Sequence, residues 1–204
     1  MNKSKLAMFE WELAQMRDHV RTFAEKAITE VIPDHFWAIP PSSSGKHHPT
    51  CTHRLGGLIV HTKRVGYVVH QLCEAAQNSQ EDKEALYCAA ILHDIGKKDK
   101  YEKGTNDYER HPLIAVELIK EKSSILATAY GDGGKDFLNT VCRLITYHMG
   151  PWTPEECRKP LDKYDSLELT LYYADYLASR KMLGTPVDGI IIPEEFSKLK
   201  KPEE

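Results

Sequence analysis

Along the first part of the chain, Leu13, Met16, Val20, Phe23, Ala27 and Val31 recur at steps of three and four until Pro33 stops the pattern. That spacing predicts one long amphipathic helix over residues 5–31. The next stretch, AIPPSSSGKHHPTCTH over residues 38–53, is rich in Pro, Ser and Gly and predicts a loop, either a lid or a tether. Helical periodicity resumes over residues 57–77, 80–93, 111–122, 135–148 and 166–183, with Gly and Pro between most of these segments. Strand-like β-branched enrichment is confined to the short GIIIP around Ile190, so the expected fold class is all-α, a bundle-like helical domain.

Several apolar stripes carry a ligand-type side chain. Leu58, His61, Val65, Val68 and Leu72 share one face, as do Leu86, Ala89 or Ala90, and His93. His111 runs with Ala115 and Leu118, His148 with Phe137, Val141 and Leu144, and Asp175 with Leu171, Ala178 and Met182. One inward histidine is more often a hydrogen-bonded core residue than a ligand. Asp175 and Asp94 are harder to place that way, because an unpaired buried carboxylate costs several kcal/mol or more. Arg180 and Lys97 could supply salt bridges, but four inward imidazoles with two inward carboxylates more economically describe one or two divalent metals.

Composition narrows the surroundings. The 204 residues fit one domain, and no apolar run approaches a membrane span or a signal-peptide core, which makes a cytoplasmic protein the expectation. The five cysteines are scattered and never spaced as CxxC, against a disulfide framework or a cysteine zinc site. A net charge of −3 offers nucleic acid no global attraction, so such affinity needs a local basic patch.

The order His61, then His93-Asp94, then Asp175 resembles the HD superfamily of metal-dependent phosphohydrolases, an all-helical fold named for its adjacent His-Asp pair. LHDIGK is among the most recognisable spellings of that pair, and GGLIVHT, HPLIAVELI, ITYHMG and LELTLYYADYLASR look like the same superfamily. The likeness is greatest to the HD domain of bacterial 3′→5′ exoribonucleases of the YhaM type, which carry an OB domain where this chain has a helix and a loop. It implies a helix and loop over residues 1–50, an HD domain over 51–185 and a charged tail over 186–204. It also implies one metal held by His61, His93, Asp94 and Asp175, and a second held by His111 and His148, with Asp94 as the bridge. Family members often show paired histidines where His148-Met149 stands, so two metals are expected rather than three. Mixed imidazole and carboxylate ligation suits Mn, Fe, Co, Ni or Zn better than Mg.

The expected function is therefore a metal-dependent phosphomonoesterase or phosphodiesterase acting on nucleotides or oligonucleotide ends. The alternatives are a di-iron oxygenase of the HD type and a metal-stabilised nucleotide-binding module without turnover. Asp94 and Lys97 are the expected catalytic residues, Lys97 lying one helical turn from His93, where it could offset charge on phosphoryl oxygens. Lys98, Lys100 and Lys103 read as a solvated patch at a helix C-terminus. Arg54, Lys97 and Arg180 are the expected contacts to substrate phosphate, whereas His53, Lys63, Arg64 and Lys181 read as surface charges. SSSGKHH lacks the residues of a phosphate loop. His47-His48 lies in the loop that could cover the site, although histidines there are usually only exposed. Tyr147, Trp152 and Tyr173 could stack a base, although aromatics at helix ends more often pack. The N-terminal helix could pair two copies as a homodimer.

Overall fold

The computed structural model describes residues 1–42, 48–98 and 107–200. Among them are α1 (Asn2–Met8), α2 (Glu10–Ala14), α3 (Asp18–Glu30), α4 (Gly57–Ala76), α5 (Gln80–Leu92), α6 (Asp107–Glu121), α7 (Ser123–Tyr130), α8 (Gly134–Tyr147) and α9 (Ser166–Ala178), and no strand. The class is all-α, as the periodicity predicts. GIIIP around Ile190 folds as turn and irregular chain. No helix among the described residues is long and apolar enough to cross a membrane.

α4 is the axis of the molecule, packed against α5 on one side and α9 on another, while α8 closes the far side through α5, α6, α7 and α9. α4 enters from Gly56, whose φ of +67° is left-handed, and Gly57 lies so close to the Thr52 carbonyl that a Cβ would stand 1.8 Å from it. α5 starts at Ser79, whose hydroxyl accepts from the Asp82 N–H at 3.2 Å. α9 starts in a capping box: Asp165 accepts the Leu167 and Glu168 N–H groups, and Glu168 accepts the Asp165 N–H.

The single helix expected over residues 5–31 is three helices. Its apolar stripe is right, since Leu13, Met16, Val20, Phe23, Ala27 and Val31 are all buried. Its continuity is broken by Glu84 of α5, which draws the Arg17 N–H at 2.6 Å out of the helical ladder and grips the Arg17 guanidinium as well. Arg21 then satisfies carbonyls freed at the break, donating to Leu13 O at 3.2 Å and Met16 O at 3.0 Å. The last predicted helix is also too long. α9 stops at Ala178, and Met182, expected on its inner stripe, is 99% exposed. α7, which has only eight residues, carries no expectation at all.

Lys63 and Arg64, expected at the surface, are buried because α4 is covered nearly all round. Lys63 donates to Glu12 of α2 at 2.8 and 3.0 Å and to Met8 O at 2.7 Å. Arg64 donates to carbonyls at and beyond the end of α9, among them Ala178 O at 2.9 Å.

Candidate metal centre

Five helices meet at one buried point. His61 comes from α4, His93 caps the end of α5, and Asp94 follows it. His111 stands in α6, His148 caps α8, and Asp175 comes from α9. Asp94 faces two histidine pairs with different oxygens. Its Oδ2 lies 3.4 Å from His61 Nε2 and 3.2 Å from His93 Nε2. Its Oδ1 lies 3.1 Å from His111 Nε2 and 3.7 Å from His148 Nε2. Asp175 Oδ1 stands 3.0 Å from His61 Nε2 and 3.8 Å from His93 Nε2. All six residues that the sequence marks as ligands are therefore together.

Two of the imidazoles have their tautomer set by the backbone. His93 Nδ1 lies 2.8 Å from Ala90 O and His148 Nδ1 lies 2.7 Å from Ile145 O. A carbonyl only accepts, so each Nδ1 carries a proton and each ring turns its Nε2 to the centre. His61 Nε2, His93 Nε2 and Asp94 Oδ1 are buried with no hydrogen-bond partner, despite the short separations. His111 Nε2 and His148 Nε2 stand 3.1 Å apart. Lone pairs converging on one buried point are stabilised by a cation, and three groups of ligand atoms are close enough to share one: His61-His93-Asp94, His93-His148-Asp175 and Asp94-His111-His148. The residues fit metal binding.

Titration behaviour agrees with that fit at Asp94, Asp175 and His111. Burial pushes Asp94 up, but the surrounding His93, Lys97, His111 and His148 outweigh it and hold the carboxyl well below the usual range. Burial also opposes ionisation of Asp175, and His61 overcomes it to hold that carboxyl low. Burial pushes the His111 imidazole down to about 4, against the pull of Asp94, so this ring is neutral near pH 7. His61 goes the other way: burial lowers it, and the nearby Asp175 and Asp94 carboxylates outweigh burial and raise it.

Gly96 of the LHDIGK stretch has a geometric task. A Cβ there would stand 2.2 Å from His111 O and 2.8 Å from Ala115 N, so only glycine lets the end of α5 lie against α6 where His111 begins. Lys97 follows, buried, with Nζ 2.7 Å from Asp94 Oδ2. Lys98 is exposed, and Lys100 and Lys103 lie outside the described residues.

A cavity of about 510 Å³ opens onto this centre, with Lys97, His111, His148 and Asp175 on its inner wall. Trp152, Tyr176, Arg158 and Arg180 line it further out. Of the expected substrate contacts, Lys97 and Arg180 are on the wall, with the Arg180 guanidinium 4.2 Å over the Tyr176 ring. Arg54 is not on the wall; it is exposed and donates to Ile190 O at 2.7 Å. Of the aromatic candidates, Trp152 lines the cavity and is 57% exposed, while Tyr147 packs on Tyr164 beneath Lys159. Tyr173 is also exposed, and the nearby aromatics that do line the cavity are Tyr172 and Tyr176.

His48, which the sequence puts in a loop that could cover the site but reads as exposed, stands against the centre. Its ring meets that of His61 edge to face at 5.0 Å, on the cavity wall, and its Nδ1 is buried with no hydrogen-bond partner. Burial, then the charges of His61 and Lys97, push it down to about 2. It sits in a loop without periodicity, where no stripe could have marked it. His47 beside it lies outside the described residues.

No curated protein and no solved structure matches this chain. A family model described as the HD domain matches residues 58–180, which is more than half of the chain and takes in all six converging side chains. The chain belongs to the HD domain family.

Proposed function

We propose that this protein is a metal-dependent phosphohydrolase that cleaves phosphomonoesters or phosphodiesters of nucleotides or oligonucleotide ends at a dinuclear site. The observation that carries the reading is the posture of Asp94, whose two oxygens face two different histidine pairs, His61-His93 and His111-His148. A carboxylate set that way would serve both ions of such a site. His61, His93, Asp94 and Asp175 would hold one, and Asp94, His111 and His148 the other. When bound, such ions lower the pKa of water and offset charge on the phosphoryl oxygens. The chain's own groups do the rest. Lys97 sits between the centre and the cavity, where its charge keeps Asp94 ionised and faces an incoming phosphoryl group. Arg180, further out and stacked on Tyr176, holds a second phosphate or orients the leaving group. The aromatic outer wall accepts a flat ring such as a base.

The test is elemental analysis of the purified protein joined to a panel of phosphomonoesters and phosphodiesters assayed with Mn2+. The reading requires bound divalent metal and release of phosphate or of a nucleotide, with both abolished in His93→Ala and Asp94→Ala. Iron with oxygen uptake and no phosphate release would replace it with an oxygenase, and tight nucleotide binding without turnover would replace it with a binding module.

A further inference from the structure

Arg64 is the largest buried cation among the described residues, and its donors are spent on one place. Nε donates to Ala178 O at 2.9 Å, and Nη2 donates to Leu183 O at 2.6 Å and Arg180 O at 3.3 Å. Nη1 pairs with Asp188, which is itself anchored by the Thr185 N–H at 3.0 Å and the Thr185 hydroxyl at 2.6 Å. α9 ends at Ala178, so Arg64 takes up carbonyls at the end of the helix and just beyond it, and its charge complements the negative end of the helix dipole.

The register gives this clamp its meaning. Arg64 stands three residues after His61 on α4, and Ala178 stands three residues after Asp175 on α9. The His61 to Asp175 approach at 3.0 Å and the Arg64 to Ala178 bond at 2.9 Å are therefore successive rungs between the same two helices, one turn apart. The first rung brings together two groups that must stay free to share an ion. The second is a charge-assisted hydrogen bond with no other duty.

We propose that Arg64 is a positioning residue of the metal centre. By locking the end of α9 to α4, it sets the separation of His61 and Asp175, and through Arg180 O it seats the cavity wall on that side. The Asp94-His111-His148 side is built from α5, α6 and α8 and takes no contact from Arg64 among those described here. The clamp therefore acts on one half of the centre only. The proposal rests on the metal reading above.

The test is calorimetric titration of Mn2+ alone into the metal-stripped full chain, comparing wild type with Arg64→Lys and Asp188→Asn. Lysine keeps the charge but cannot span the three carbonyls and Asp188 together. Loss of an orienting partner typically weakens a metal site about 10- to 100-fold. Arg64→Lys is expected to weaken one Mn2+ equivalent about tenfold or more and leave the other within about twofold. Asp188→Asn should weaken the same equivalent by a smaller factor. A general loss of packing would not split the two equivalents. Equal weakening of both, or unchanged affinities in a folded Arg64→Lys protein of lowered melting temperature, overturns the proposal. Should Arg64→Lys not fold, Asp188→Asn decides by the same readout. A wild-type chain that binds no Mn2+ overturns the metal reading and this proposal with it, an outcome distinct from a wild type that binds two ions with no selective loss in the variants.

Discussion

At the scale of single residues, Asp94 and Lys97 separate two jobs that sit 2.7 Å apart. Asp94 is the common member of both histidine pairs, so Asp94→Asn removes the bridge and should empty both metal positions, read as metal per chain after dialysis. Lys97→Met leaves the six ligands in place. It should keep the metal and lower kcat by about a hundredfold, the usual cost of deleting one group that stabilises transition-state charge. Steady-state kinetics with elemental analysis checks both variants. The six converging residues were legible in the sequence because each one interrupts an apolar stripe, where a polar side chain has to be explained. Lys63, Arg64 and His48 were not legible. The two cations are neutralised by Glu12 and by Asp188 with the chain after α9, which are remote in sequence, and His48 has no helical register to betray its direction.

At the scale of elements, the periodic stripes predicted which faces are buried better than they predicted where helices stop. The residues 5–31 stripe is buried throughout, yet Glu84 breaks the helix beneath it, and a partner 67 residues away leaves no mark on local spacing. Burial pushes the Glu84 carboxyl up, but the Arg17 guanidinium, the Arg17 N–H and Gln80 outweigh it and hold it below the usual glutamate value. The unfolded chain then binds a proton more readily than the folded one. Glu84 contributes stability that is complete above the unfolded value of about 4.3 and is lost as pH falls through the lower folded value. Glu84→Gln should cost about 1–3 kcal/mol near pH 7 and flatten this acid limb, as followed by urea unfolding across pH. Gly96 supplies a second prediction at this scale. Gly96→Ala drives a Cβ into the His111 carbonyl and must shift α6 against the end of α5. It should destabilise the fold by about 1–3 kcal/mol and weaken metal held by His111 more than metal held by His61, measured by unfolding and by metal titration.

At the scale of the whole molecule, the centre ties five helices that are otherwise joined by packing, so a metal bound there would belong to the fold as well as to the proposed chemistry. An ion that binds only the native state adds about 2.7 kcal/mol at a free concentration a hundred times its Kd. For a chain of this length each kcal/mol shifts Tm by roughly 2–4 °C. Chelation should therefore lower Tm by about 5–10 °C, and added Mn2+ should restore it in a calorimetric scan. The all-α class and the meeting of five helices could be read from periodicity and the HD motif, because both are local patterns repeated along the chain. The cavity could not, since its wall is assembled from α6, the stretch after α8 and the end of α9, and its shape exists only once those pack. The most direct test of the central claim is hydrolysis of a phosphomonoester and phosphodiester nucleotide panel by the metal-loaded protein, before and after chelation. The account predicts turnover that disappears with the metal and returns with Mn2+. A protein that holds its metal and turns over none of the panel, or turns it over equally well without metal, contradicts it.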